Sequence, residues 1–133
     1  FNDDWYGFDD AHYSAFRLLE ILSKTNESIS NIFQNLPQSF STPEINLDVL
    51  DEKKFEIVEK FVKYANFNGG EKITIDGLRV NFDDGWGLLR ASNTTPKLVL
   101  RFEANSEKRL AEIQNLFLSE LKLIDESIET NIS

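Results

Sequence analysis

Arg90, Ser92, Asn93 and Thr94 fall within the run Gly85-Trp86-Gly87-Leu88-Leu89-Arg90-Ala91-Ser92-Asn93-Thr94-Thr95-Pro96. A guanidinium followed at once by hydroxyl and amide donors is a set suited to an oxyanion. Arg offers a planar fork of N–H groups, and Ser, Asn and Thr add neutral donors that match phosphate oxygens. Each hydrogen bond to a charged partner contributes about 1.5–3 kcal/mol. Between Gly85 and Arg101 stand the cations Arg90, Lys97 and Arg101 and no Asp or Glu, although the chain carries a formal charge of -9. An anion is thus expected to be repelled by most of the surface and attracted here, because screening beyond about 8 Å lets a local field prevail. The same residues also read as an ordinary polar turn between two strands, since Ser, Thr and Asn satisfy turn backbones.

Positioning such a loop requires strands on both sides. Trp86 and Leu88 alternate with Leu89 up to Arg90, and Leu98, Leu100 and Phe102 alternate with Val99, Arg101 and Glu103, which predicts an interior strand on either side of the loop. Upstream, Leu78, Val80 and Phe82 alternate after Asp76-Gly77, a two-residue hairpin signal that an Ile73–Ile75 strand should enter. Ile45, Leu47 and Val49 predict a further strand. Asp51 is the expected cap of a helix with the stripe Phe55, Val58, Phe61, Val62 and Ala65. Ser106 is that of a closing helix with the stripe Leu110, Ile113, Phe117, Leu121 and Ile124. The order from Glu44 is β-α-β(4)-α, an α+β layer of antiparallel sheet with helices on one face.

The segment before it reads differently. Asp3-Asp4-Trp5-Tyr6-Gly7-Phe8-Asp9-Asp10 is an acidic aromatic turn whose spacing matches no calcium or magnesium loop and whose last Asp can cap a helix. Ala11, Ala15, Leu18, Leu19 and Leu22 then share a helical face, and a shorter helix from Ser28 stops at Pro37. His12, the one histidine of a chain without cysteine, reads as a packing or surface residue rather than a ligand or base. Residues 37–43, with Pro37 and Pro43, are the expected connector between residues 1–36 and residues 44–133.

Length and composition bound the rest. At 133 residues, 41% hydrophobic and 28% charged, the chain suits one globular domain or a small domain with part of another. No apolar run reaches membrane-span length, and the acidic balance argues against nucleic-acid binding. A cytoplasmic setting is the default expectation without cysteines. The absence of Met and the start at Phe1 fit an excerpt from a longer polypeptide.

Asp76-Gly77-Leu78-Arg79-Val80, the run Asp84 to Pro96 and Leu98-Val99-Leu100-Arg101-Phe102-Glu103-Ala104 resemble the C-terminal domain of bacterial phosphomannomutase/phosphoglucomutase, in the α-D-phosphohexomutase superfamily. Trp5-Tyr6-Gly7-Phe8-Asp9-Asp10 and Arg17-Leu18-Leu19-Glu20-Ile21-Leu22 resemble the end of that enzyme's third domain. Ala91 and Asn93 stand where phosphoglucosamine mutases usually carry Pro and Gly, which favours the mannose/glucose branch. The resemblance implies a TBP-like sheet preceded by a helical remnant of an α/β domain. It implies an isomerase that moves phosphate between the 1 and 6 positions of a hexose through a phosphoserine enzyme and a bisphosphorylated intermediate. Arg90, Ala91, Ser92, Asn93 and Thr94 would hold the non-reacting phosphate. The remaining domains of the same polypeptide would be the partners, with hexose phosphate as substrate. No Thr-x-Ser-His-Asn nucleophile loop, Asp-x-Asp-x-Asp magnesium loop or Glu-x-Ser sugar loop is present. Catalytic residues and Mg2+ are therefore expected outside this segment, which alone should not turn over. The competing readings are a noncatalytic phosphosugar-binding module and a helical contact module on a structural sheet.

Overall fold

The computed structural model describes residue 2 and residues 4–129. Phe1 and Asp3 lie outside the described residues, and so does the end of the 44–133 segment from residue 130 onward. The chain divides into two compact units, Phe1–Pro37 and Gln38–Ser133.

In the first unit, Asp10 accepts a hydrogen bond from the Tyr13 N–H and starts helix α1, Ala11–Ser23. Ser28 caps α2, Ile29–Gln34, in the same way through the Asn31 N–H. Both caps satisfy amides that a helix start leaves orphaned. Trp5 stacks on Tyr13 with ring centroids 4.8 Å apart. Neither helix buries a residue, and Phe16, Leu19 and Ile21 are all more than half exposed.

The second unit contains β1 (Phe40–Ser41), β2 (Ile45–Asp48), α3 (Lys54–Tyr64), β3 (Glu71–Ile73), β4 (Leu78–Phe82), β5 (Gly85–Ala91), β6 (Lys97–Ala104) and α4 (Glu107–Ile124). The sheet runs β1-β6-β5-β4-β3 with every pairing antiparallel, and β2 joins β1 along the same side of β6. Phe40 pairs with Ala104 and Ile45 with Leu100. Between them, Thr42 donates its N–H to the Phe102 carbonyl (3.0 Å), and its hydroxyl oxygen accepts from the Phe102 N–H (3.1 Å). Residues 37–43 are thus more than a bare connector, because Phe40 and Ser41 enter the sheet.

Alternation places Leu78 and Val80 of β4, Leu89 of β5, and Leu98, Leu100 and Phe102 of β6 on one fully buried face. Helices α3 and α4 cover it with Ile57, Val58 and Phe61 and with Ile113, Phe117 and Leu121. Full burial of such side chains contributes about 1.5–3 kcal/mol each. The Phe117 ring lies at the centre, 4.5 Å from Phe67, 5.3 Å from Phe102 and 5.8 Å from Phe61 between centroids. Gly87 of β5 makes room for it: a Cβ there would stand 2.7 Å from Phe117 Cζ.

Three local expectations are corrected. Asp51 does not cap α3, whose N-cap is Lys53 without a side-chain bond; Asp51 pairs instead with Lys54. Phe55 is half exposed while Ile57 is buried, because the α3 stripe is turned by one position toward the sheet. The hairpin before β4 is longer than two residues: β3 ends at Ile73, which pairs with Arg79, and Ile75 is 93% exposed at the turn.

Candidate phosphate-binding site

Arg90 is the penultimate residue of β5, the strand at the middle of the sheet. Buried Leu89 and Ala91 face the helices, so Trp86, Leu88 and Arg90 occupy the opposite, half-buried face. The start of this strand is fixed by α4. Arg109 donates from Nε to the Asp84 carboxylate (2.8 Å) and also pairs with Glu112, and Asn105 donates its N–H to the Asp84 carbonyl. The bond to Asp84 raises the pKa of the Arg109 guanidinium further above its ordinary value. On the outward face, the Arg79 guanidinium lies 3.9 Å above the Trp86 ring, while its Nε donates to Asn81.

The end of β5 is held by a close approach. Gly77 adopts φ +74° and lies against the Arg90 backbone, where a Cβ would stand 2.7 Å from Arg90 Cα. Only glycine combines this left-handed conformation with the absence of a side chain. The turn it closes carries Asp76, whose Oδ2 lies 4.0 Å from Arg90 Nη1.

Residues 92–96 join β5 to β6, and the loop is closed by its own hydrogen bonds. The Ser92 N–H donates to the Lys97 carbonyl (2.9 Å) and the Lys97 N–H to the Thr95 carbonyl (2.8 Å). Val49, just past β2, donates to the Pro96 carbonyl (3.1 Å). The Ser92 oxygen accepts from the Thr95 and Thr94 amides at 3.2 and 3.4 Å and shares a hydroxyl–hydroxyl hydrogen bond of 2.7 Å with Thr95. The two amides fill both lone pairs of that oxygen and its own proton is left to the Thr95 hydroxyl, so polar-turn chemistry accounts for the whole Ser92 hydroxyl.

Arg90, Ala91, Ser92, Asn93 and Thr94 lie in one stretch at this rim, in different settings. The Arg90 side chain is 31% exposed, Asn93 and Thr94 are open to solvent, and Ser92 is almost enclosed. The Ala91 methyl is buried toward the helices, so only its backbone can meet a ligand. The expected uncompensated positive field is corrected. Asp76 approaches Arg90, and Asp48 of β2 lies 3.6 Å from Lys97, because the β3–β4 turn and the β2 edge flank the loop on its two sides.

Sequence reasoning missed Lys54. Its side chain is 4% exposed, its Nζ donates to the Thr95 carbonyl (3.1 Å), and it pairs with the Asp51 carboxylate (2.7 Å). The available signal was position, since Lys54 precedes Ile57, Val58 and Phe61 at the helical spacing of the buried stripe. Among the described residues, no three His, Cys, Asp or Glu side chains gather into a metal-holding group.

A family model described as the phosphoglucomutase/phosphomannomutase C-terminal domain matches residues 44–119. A phosphomannomutase/phosphoglucomutase of Pseudomonas putida is 52% identical over 125 residues, which cover 94% of this chain and 27% of that protein. A phosphoglucomutase of Neisseria gonorrhoeae is 51% identical over 119 residues, covering 88% of this chain and 26% of that protein. The crystal structure of a phosphoglucomutase/phosphomannomutase family protein from Burkholderia thailandensis superposes with a TM-score of 0.82 at 45% identity, over 97% of this chain and 27% of that one. The chain thus spans about a quarter of the length of these relatives.

Proposed function

The chain belongs to the phosphoglucomutase/phosphomannomutase family, as its C-terminal domain, and from that premise we propose that Arg90, Ala91, Ser92, Asn93 and Thr94 hold the non-reacting phosphate of a hexose phosphate. The reaction served is reversible interconversion of hexose 1-phosphate and hexose 6-phosphate, of glucose or mannose, in a longer polypeptide that supplies the phosphoserine. The bisphosphorylated intermediate must turn between two orientations, and a loop that grips either end while the other reacts permits both. Binding energy at this remote phosphate positions the transferring group. When bound elsewhere in that polypeptide, Mg2+ supplies charge neutralisation. We place that polypeptide in the cytoplasm. No helix among the described residues is long and apolar enough to cross a membrane.

The observation that carries this reading is a preformed loop. Backbone and Ser92–Thr95 bonds set its shape, and Arg90 stands at its entrance on the half-buried sheet face. Preorganised donors lose little freedom on binding, which is what a repeated grip on phosphate requires. In the same scheme residues 1–36 are the tail of the preceding α/β domain, since α1 exposes Phe16, Leu19 and Ile21, and residues 37–43 lead into the phosphate-binding domain of residues 44–133.

Titration of this chain with glucose 6-phosphate and mannose 6-phosphate, followed by amide NMR, tests the assignment. Saturable shifts should concentrate on residues 91–94. Arg90→Ala should weaken binding roughly tenfold to a hundredfold, the equivalent of one charge-assisted contact of about 1.5–3 kcal/mol. Shifts absent from this loop, or unchanged affinity in Arg90→Ala, would leave only the polar turn.

A further inference from the structure

We propose that Lys54 is the positioning residue of the phosphate loop, holding Thr95 from beneath so that the turn from Ser92 to Thr95 keeps the shape that meets the ligand. The inference rests on residues 90–94 being the phosphate grip and adds to it a group from a different element.

Lys54 is placed at a cost to its own helix. It opens α3, where a cation opposes the positive end of the helix dipole and no side chain caps the exposed amides. It occupies a stripe position that an apolar side chain would fill without desolvating a charge. Its partner Asp51 is 72% exposed, so the pair is buried at one end only. What the ammonium reaches is the loop, through the Thr95 carbonyl across 41 residues of chain.

The contact propagates by hydrogen-bond counting. Thr95, held through its carbonyl, gives its amide to the Ser92 oxygen and joins it again through the hydroxyl–hydroxyl bond. A hydroxyl oxygen has two acceptor lone pairs and one proton; the Thr94 and Thr95 amides fill the lone pairs and the proton is left to the Thr95 hydroxyl, so residues 92–95 form one closed turn that is held at the Thr95 carbonyl. The Ser92 N–H is already committed to Lys97, which fixes the backbone around that hydroxyl.

The test uses the full-length mutase and compares Lys54→Met, Lys54→Arg, Thr95→Val and Arg90→Ala in steady-state kinetics and thermal melts. Lys54→Met should raise KM for glucose 1-phosphate about tenfold at temperatures well below its melt, and Lys54→Arg should restore most of that loss. Thr95→Val, at an exposed loop position, should raise KM roughly two- to tenfold, and its effect should largely disappear in the Lys54→Met background. A lowered Tm with wild-type KM in Lys54→Met would make the lysine merely structural and overturn the proposal. Should Lys54→Met fail to fold, wild-type KM in Thr95→Val overturns it equally. Wild-type kinetics in Arg90→Ala would instead remove the phosphate grip itself, whereas an impaired Arg90→Ala beside an unimpaired Lys54→Met removes Lys54 alone.

Discussion

Gly77 and Arg90 are in direct backbone contact across the β4–β5 pair, so the residue at the loop entrance is located by a residue that has no side chain. Gly77→Ala should therefore both strain a left-handed φ and push against Arg90 Cα. Gly69 shares the positive φ but faces open space, and Gly69→Ala isolates the conformational part. A left-handed non-glycine residue costs roughly 1–3 kcal/mol, and each kcal/mol lowers Tm by about 4–8 °C in a domain of this size. Differential scanning calorimetry should show the larger drop for Gly77→Ala, with weakened phosphate binding in that variant only. Equal effects at the two glycines would contradict the contact.

If Arg90 receives a phosphate as proposed, Asp76 should compete for it. The pair is 4.0 Å apart and the carboxylate is 68% exposed, so it resembles surface ion pairs worth about 0–1 kcal/mol, less than a phosphate contact. Asp76→Asn should tighten phosphate binding about twofold to fivefold at low salt, and the gain should fade as screening increases. Isothermal titration at two ionic strengths checks this. Weaker binding in the variant would mean that Asp76 orients Arg90 rather than competing for it.

Phe117 is the ring on which the second unit closes. Phe117→Ala removes contacts with Phe61, Phe67 and Phe102 and should cost about 3–5 kcal/mol. Gly87→Ala attacks the same place by overpacking and should cost roughly 1–3 kcal/mol. Urea unfolding of the two variants gives the comparison, and a neutral Gly87→Ala would mean that the ring has space to shift.

At the end of α4, Asp125 accepts from the Ser127 hydroxyl (2.6 Å) and amide (3.0 Å), and the hydroxyl bond is the main reason its pKa lies below the ordinary carboxylate value. A depressed folded pKa stabilises the fold above the unfolded value and loses that contribution as pH falls through the folded one. Asp125→Asn should melt below the native chain at neutral pH, and the gap should close in acid. Parallel melting curves from pH 7 to strongly acidic pH would remove the carboxylate from the account.

Strand and helix periodicities are local, which is why β4, β5, β6 and the stripe of α4 could be read from residue types alone. The candidate loop could be singled out for the same reason, since Arg90 to Thr94 are contiguous. Lys54, Asp76 and Asp48 were not, because each reaches the loop from another element and their approach depends on strand order. The β3–β4 turn was misjudged because Asp76-Gly77 signals a turn without stating its length. Gly77 is there to lie flat on β5, and Ile75 is left in solvent as a result. Phe40 and Ser41 were hidden among prolines and hydroxyl residues, where only pairing with β6 reveals a strand.

The interruption at Thr42-Pro43-Glu44 has a consequence for how copies of this domain behave together. An outer strand running unbroken along β6 would present a long row of amides and carbonyls to any passing chain and invite it to pair. Here proline lacks the amide, and what remains on either side is two residues and four. The opposite margin, β3, offers three residues, two of which are Glu71 and Lys72. Neither margin is long enough to recruit another strand, so the sheet resists growing into a fibre while its central strands remain free to carry the loop.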